Sequence, residues 1–192
     1  MGLMKLVCCF LAIFALGALN QKAALAQEPK VPRPAGDIGI QTGPGQYIWL
    51  SQYEGKTCIL AFILTTCPHC QFTTGILNRI QKDYADRGVQ VIESAVEPMS
   101  SLHIPDFVKK MGTIFPVGYN EESYVAKFLG LPPTAPMLFP SIVMVDARGV
   151  LRVQYDPDDT RLRNDTQEKT LREDLDKTIK EGQTPSKAPA HR

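Results

Sequence analysis

The feature that most constrains this chain is the run Cys58-Ile59-Leu60-Ala61-Phe62-Ile63-Leu64, seven apolar residues without interruption. A strand with one face in water alternates apolar and polar residues, because successive side chains point to opposite faces. An unbroken run of this kind needs cover on both faces, as in a central strand of a sheet flanked by helices. After Thr65 and Thr66 comes Cys67-Pro68-His69-Cys70. Proline suits the first position of a helix, where its missing N–H costs nothing. Phe72, Ile76, Leu77, Ile80 and Tyr84 follow at helical spacing, and Arg87-Gly88 supplies a terminal cation and a glycine stop. The two cysteines therefore stand where a buried strand hands over to a helix.

The rest of the chain extends the same pattern. Tyr47 to Leu50 reads as a short edge strand, and Val89 to Val96 as a second buried strand. A short helix is expected over Ile104 to Met111, an extended piece over Ile114 to Val117, and a helix over Tyr124 to Leu129. Ser141 to Val145 and Val150 to Tyr155 read as strands joined by the turn Asp146-Ala147-Arg148-Gly149. Leu171, Leu175 and Ile179 mark one apolar stripe on a final charged helix. A parallel unit comes first and an antiparallel hairpin last. The expected class is α/β, with a central mixed sheet flanked by helices on both faces.

The two ends differ from this middle. Lys5, the uncharged run from Leu6 to Leu19, and Ala24-Leu25-Ala26 form the pattern of a secretory signal peptide over 1–26. The run is shorter than the ~20 residues that span a bilayer, so contact with a membrane is expected only if this segment is retained. Residues 27–37 carry three prolines and read as a linker, 38–182 as the globular domain, and 183–192 as a polar disordered tail. Export to the periplasm or another extracytoplasmic space follows. The formal net charge is +1 without a basic stripe, which gives nucleic acid no electrostatic reason to bind.

Of the five cysteines, Cys8 and Cys9 fall inside the signal segment. Removing it leaves Cys58, Cys67 and Cys70, an odd number that does not suit a disulfide-stapled scaffold. Cys58 reads as a small buried hydrophobe. Cys67 and Cys70, three apart in a first helical turn, share a face and lie within disulfide reach. A helix N-terminus favours negative charge, so Cys67 is expected to supply thiolate, the attacking species, with His69 adding to this if cationic. Cys70, deeper in the helix, is the natural resolving thiol. A structural staple is the bland alternative. A zinc site needs two further ligands, and only Cys58, His69, His103 and His191 remain to supply them.

Thr65-Thr66-Cys67-Pro68-His69-Cys70 after an apolar strand resembles the thioredoxin superfamily, and within it the TlpA-like and ResA-like exported members. Tyr53-Glu54-Gly55-Lys56, Gly88-Val89-Gln90-Val91-Ile92, Phe115-Pro116-Val117 and the block Pro140 to Gly149 carry the likeness from about Ile38 to Ile179. The resemblance implies a thioredoxin-like fold and a protein thiol–disulfide oxidoreductase. Its partners would be protein thiols or disulfides and a redox partner, and it would need no cofactor. It also implies that Pro140 is the cis-proline beside the cysteines, with Pro136 as the competing position. The acid that cytoplasmic thioredoxins place on the strand before the motif is absent, since Ala61 stands there. TlpA-like proteins often carry an acid after the second strand, for which Glu97 is the nearest candidate, with Glu93 behind it. Thr66 replaces the usual aromatic, and Phe139 before Pro140 is bulkier than usual. A copper-handling protein similar to the Sco group is the alternative, although that group uses CxxxC and a late histidine. The peroxiredoxin signature would need Pro at 60 and Thr at 64, where Leu60 and Leu64 stand.

Overall fold

The computed structural model describes residues 31–155 and 159–184. The expected signal segment, residues 27–30 of the expected linker and the residues beyond Thr184 lie outside the described residues. In chain order the strands are β1 Arg33–Pro34, β2 Gly39–Gly43, β3 Gln46–Trp49, β4 Thr57–Ile63, β5 Val89–Ala95, β6 Val117–Tyr119, β7 Ser141–Val145 and β8 Val150–Gln154. The helices are α1 Pro68–Tyr84, α2 Ser100–Met111, α3 Glu122–Leu129 and α4 Gln167–Gln183. Among the described residues the strands form one mixed sheet in the order β1-β8-β7-β4-β5-β6-β2-β3.

The apolar run lies in the middle of that sheet as β4, and every residue of β4 is buried. It runs parallel to β5, from Thr57 opposite Val89 to Ile63 opposite Ala95. It runs antiparallel to β7, from Cys58 opposite Val145 to Phe62 opposite Ser141. Alternate residues face opposite layers. Ile59, Ala61 and Ile63 pack with Val91 and Ala95 beneath Ile76, Leu77 and Ile80 of α1 and Leu171, Leu175 and Ile179 of α4. Leu60 and Phe62 pack with Ile92 and Val143 against Val125 and Leu129 of α3. Burying one such side chain contributes about 1.5–3 kcal/mol, so this strand anchors both layers.

Several boundaries differ from the sequence expectations. The stretch read as linker over 27–37 reaches into the sheet: Arg33 and Pro34 pair with Leu151 and Val150, and Ala35 is buried. β2 forms a hairpin with β3 that had no counterpart in the sequence pattern. The extended piece is shifted to Val117–Tyr119, where Gly118 lets β6 close on β2; a Cβ there would sit 2.4 Å from the Gln41 carbonyl oxygen. α2 starts one turn earlier than expected, after Met99 at φ 59°, and contains Pro105. Proline lacks the N–H for an i−4 bond, so α2 carries it in its second turn without that bond. Gln183, assigned to the tail, is the last residue of α4.

Candidate active site

β4 delivers the chain to a tight loop. The Cys67 N–H donates to the Leu64 carbonyl at 3.1 Å, closing a turn, and α1 begins at once. Cys67 is its N-cap, with extended backbone at φ −73° and ψ 121°, and Pro68 is the first helical residue. The Cys67 Sγ accepts the Cys70 N–H at 3.4 Å. The sulfur thus takes the capping place usually held by a Ser or Asp oxygen, satisfying one of the orphan donors of the helix start.

The two thiols differ in environment. Cys67 is half-buried, whereas Cys70 is fully buried in the core layer under α1. Burial pushes the Cys70 thiol well above its ordinary range; a backbone hydrogen bond from Leu64 opposes this, while the Cys67 sulfur and the Glu93 carboxyl add to it. All three described cysteines are free thiols. His69 is half-buried on the first turn, with its Nε2 shut from solvent and without a hydrogen-bond partner.

The loop before Cys67 is held from two sides. Glu97, just after β5, accepts the Thr65 N–H at 2.9 Å and the Thr65 hydroxyl through Oε1. Gln71 Nε2 donates to the Thr65 carbonyl at 2.8 Å, and Lys110 Nζ donates to Gln71 Oε1 at 3.0 Å. Glu97 therefore positions the loop two residues ahead of Cys67, and its bonds do not run to the sulfurs.

Glu93 is the acid that lies within the core. It is fully buried on β5, on the α1 side of the sheet, directly opposite Ala61. Burial pushes its pKa from 4.5 to about 8, against a lowering by the Thr74 hydroxyl. Thr74 Oγ1 lies 2.9 Å from Glu93 Oε1 and 3.0 Å from the Cys70 carbonyl oxygen. A hydroxyl carries one proton and can donate to only one of these. With Glu93 neutral, its O–H donates to Thr74 and Thr74 donates to Cys70, so both bonds form. With Glu93 ionised, Thr74 must turn away from Cys70. Glu93 Oε2 has no partner in either case, which also favours the neutral acid.

The Phe139–Pro140 bond is cis; the other cis bond among the described residues is Val31–Pro32, so Pro136 is not the cis position. Ser141, which follows Pro140, pairs with Phe62 at the end of β4 that leads into the cysteine loop. Phe139 packs against both core layers and Leu138 is exposed. Cys58 lies on the opposite face of β4 from the layer under α1, where burial pushes its thiol to about 12. His103 is exposed on α2. Among the described residues no three His, Cys, Asp or Glu side chains converge as a metal site would require, so neither residue joins Cys67 and Cys70 in a donor set. Thr74 and Gln71 escaped the sequence reading. The signal for Glu93 was a charged residue two positions from Val91 and from Ala95, on the buried parity of an apolar strand.

Residues 31–154, from β1 through β8, match the model of the AhpC/TSA family. The thiol-disulfide oxidoreductase ResA of Geobacillus thermodenitrificans (strain NG80-2) is 26% identical over 156 residues, covering 78% of this chain and 83% of that protein. The thioredoxin-like protein YneN of Bacillus subtilis (strain 168) is 24% identical over 119 residues, 62% of this chain and 66% of that protein. Among solved structures, a thiol:disulfide interchange protein of the thioredoxin family from Chlorobium tepidum TLS superposes with a TM-score of 0.60 at 22% identity. That superposition covers 77% of this chain and 99% of that one, and shows the shared fold. The chain belongs to the AhpC/TSA family, as a thiol–disulfide oxidoreductase on a thioredoxin-like fold.

Proposed function

We propose that this protein is exported and exchanges disulfides with partner proteins through Cys67 and Cys70. The carrying observation is the asymmetry of the pair: a half-buried sulfur at the helix cap with a fully buried thiol one turn below it. The Cys67 thiolate attacks one sulfur of a partner disulfide. The partner S–S bond breaks as the Cys67–partner bond forms, and the departing partner thiolate takes a proton. Cys70 then loses its proton and attacks the Cys67 sulfur. The mixed disulfide breaks, the partner leaves as a dithiol, and two electrons have passed from the Cys67–Cys70 dithiol to the partner. Run backwards, the same steps oxidise a dithiol.

Cys70 starts as a buried thiol, so its attack needs a proton acceptor close by. Glu93, whose charge is felt by the Cys70 thiol, fills that role in this reading in its ionised form, which gains population as pH rises toward about 8, and Glu97 keeps the loop in place. Pro140 and the backbone before it form the flank that receives the partner chain. Pro68 and His69 complete the first turn of the site.

Trapping tests the reading. A Cys70→Ser variant should accumulate a mixed disulfide with a disulfide-bonded substrate such as insulin, and a Cys67→Ser variant should not. Trapping through Cys70 in the Cys67→Ser variant, with none through Cys67, would reverse the assignment. Export is tested separately, by cell fractionation and by the mass of the purified protein, for which cleavage after Ala26 is expected.

A further inference from the structure

Beside the cysteine loop lies a groove of about 980 Å³ between the β2–β3 hairpin, the segment after β5 and the start of α3. Large apolar side chains exposed on the described surface are few, and half of them line it. Of the eight, Tyr47, Trp49, Met99 and Tyr124 are there. Single exposed apolar residues need no explanation, but a concentration of them marks an interaction surface. The walls are built to hold the rings still. Trp49 lies against Gly39, where a Cβ would come within 3.0 Å of the indole, and Tyr47 packs beside Trp49 with ring centroids 5.8 Å apart and planes tilted by 35°. The Tyr124 hydroxyl accepts the Gly39 N–H at 3.3 Å.

Charge selects the occupant. Glu97, Glu121 and Glu122 line the groove, and among the described residues no Lys, Arg or His does. Glu121 and Glu122 also suit the start of α3, where a helix favours negative charge. Glu97 has no such explanation for its second oxygen: Oε2 is closed to solvent and has no hydrogen-bond donor. Aromatic faces beside three carboxylates, one of which has an oxygen without a donor, together ask for a cationic group that donates hydrogen bonds. Arginine and lysine do this, stacking on rings and pairing with carboxylates. Because Glu97 also holds Thr65, a chain in this groove runs into the loop that presents Cys67.

We propose that the groove binds a stretch of the partner polypeptide that carries Arg or Lys beside its cysteines, and so selects basic substrates. This rests on the disulfide-exchange reading above, but binding and exchange can be read apart. Trp49 is the only tryptophan of the chain, so its fluorescence reports occupancy without any redox step. Two synthetic peptides, with Arg or Glu on either side of two serines and otherwise identical, serve as probes. The Arg peptide should give a saturable change that weakens as salt rises; the Glu peptide should give none. The matching peptides with a Cys–Cys disulfide in place of the serines should be reduced at rates differing by about tenfold or more in favour of Arg, the size expected of one cation–π contact plus one or two ion pairs. In the exposed pair variant Glu121→Gln/Glu122→Gln that ratio should fall toward one. A saturable Trp49 response to the Arg peptide with no reduction of either disulfide sinks the exchange reading and leaves the groove standing. Equal fluorescence responses, or measurable but equal reduction rates for the two peptides, overturn the groove.

Discussion

Replacing Glu93 by Gln should stabilise the fold and slow the reaction. Gln is close in shape to the protonated acid, and its Nε2 can donate to Thr74 Oγ1 as the carboxyl O–H does. Glu93 is raised from 4.5 to about 8 by burial, so the folded chain holds a proton that the unfolded chain releases. Its contribution to stability is therefore greatest at or below pH 4.5, falls as pH rises through the neutral range, and levels off above about 8. At ~1.4 kcal/mol per unit, keeping that proton costs about 1 kcal/mol at pH 5 and about 3 kcal/mol at pH 7. Gln does not titrate and escapes this cost. The gap in unfolding free energy between Glu93→Gln and the parent should therefore widen by about 2 kcal/mol between pH 5 and pH 7.

Urea unfolding of both reduced proteins at the two pH values measures that gap directly, and every titration the two proteins share cancels. A gap that stays constant within ~0.5 kcal/mol, against the ~2 kcal/mol worked out above, would show that Glu93 ionises freely in the fold and would refute the argument from burial and Thr74. In the proposed exchange reaction the same variant also lacks the carboxylate that would receive the Cys70 proton. Decay of a mixed disulfide formed at Cys67 should slow by about a hundredfold, the lower end for loss of a general base. Unchanged decay would remove Glu93 from the chemistry while leaving its effect on stability intact.

Alkylation of the reduced protein by iodoacetamide should modify Cys67 well before Cys70, since Cys67 is half-exposed and burial raises the Cys70 thiol; peptide mapping reads the order. Gly118→Ala should destabilise by about 2 kcal/mol or more in urea titration, because its Cβ would press on the Gln41 carbonyl and separate β2 from β6. Asp146→Ala should cost about 3 kcal/mol by the same assay. Burial would raise this carboxyl, but the N–H groups of Val150 and Arg148 and the Arg152 guanidinium outweigh that and hold it below its usual value. The stability it contributes is accordingly present near neutral pH and lost only as pH falls through the acid range.

What could be read from the sequence was what local pattern encodes. The apolar run from Cys58 had to be a central strand, and Ser141 to Val145 could be bounded because a turn follows it directly. Helix positions after Cys67 followed from spacing and from Pro68. The elements that escaped are those whose stability comes from distant partners. Arg33–Pro34 is a strand only because Leu151 and Val150 lie alongside, and two residues containing a proline carry no periodicity. β6 depends on a glycine that admits β2, a fact visible only once both are placed. Within the site, the cysteines stood out by type and spacing, whereas Thr74 looked like any helical threonine. Glu97 was favoured by its place in the chain after the second strand. The structure gives it the loop to hold and gives Glu93 the buried position.

That exchange of positions follows from sheet geometry. Ala61 and Glu93 are register partners in a parallel pair, so their side chains leave the sheet on the same face and neighbouring strands stand only about 4.8 Å apart. A carboxyl rooted on β5 can thus reach the layer under α1 that one rooted on β4 would reach. The small side chain of Ala61 takes little of that space, and the apolar residues around it, Ile59, Ile63, Val91 and Ala95, exclude water from both. Looking for an acid along β4 alone finds none and suggests that the site lacks one. The constraint from the chemistry is on a volume beneath Cys70, and two adjacent strands can supply it. Linear spacing from the cysteines is therefore a poor guide to this residue, while strand register is a good one.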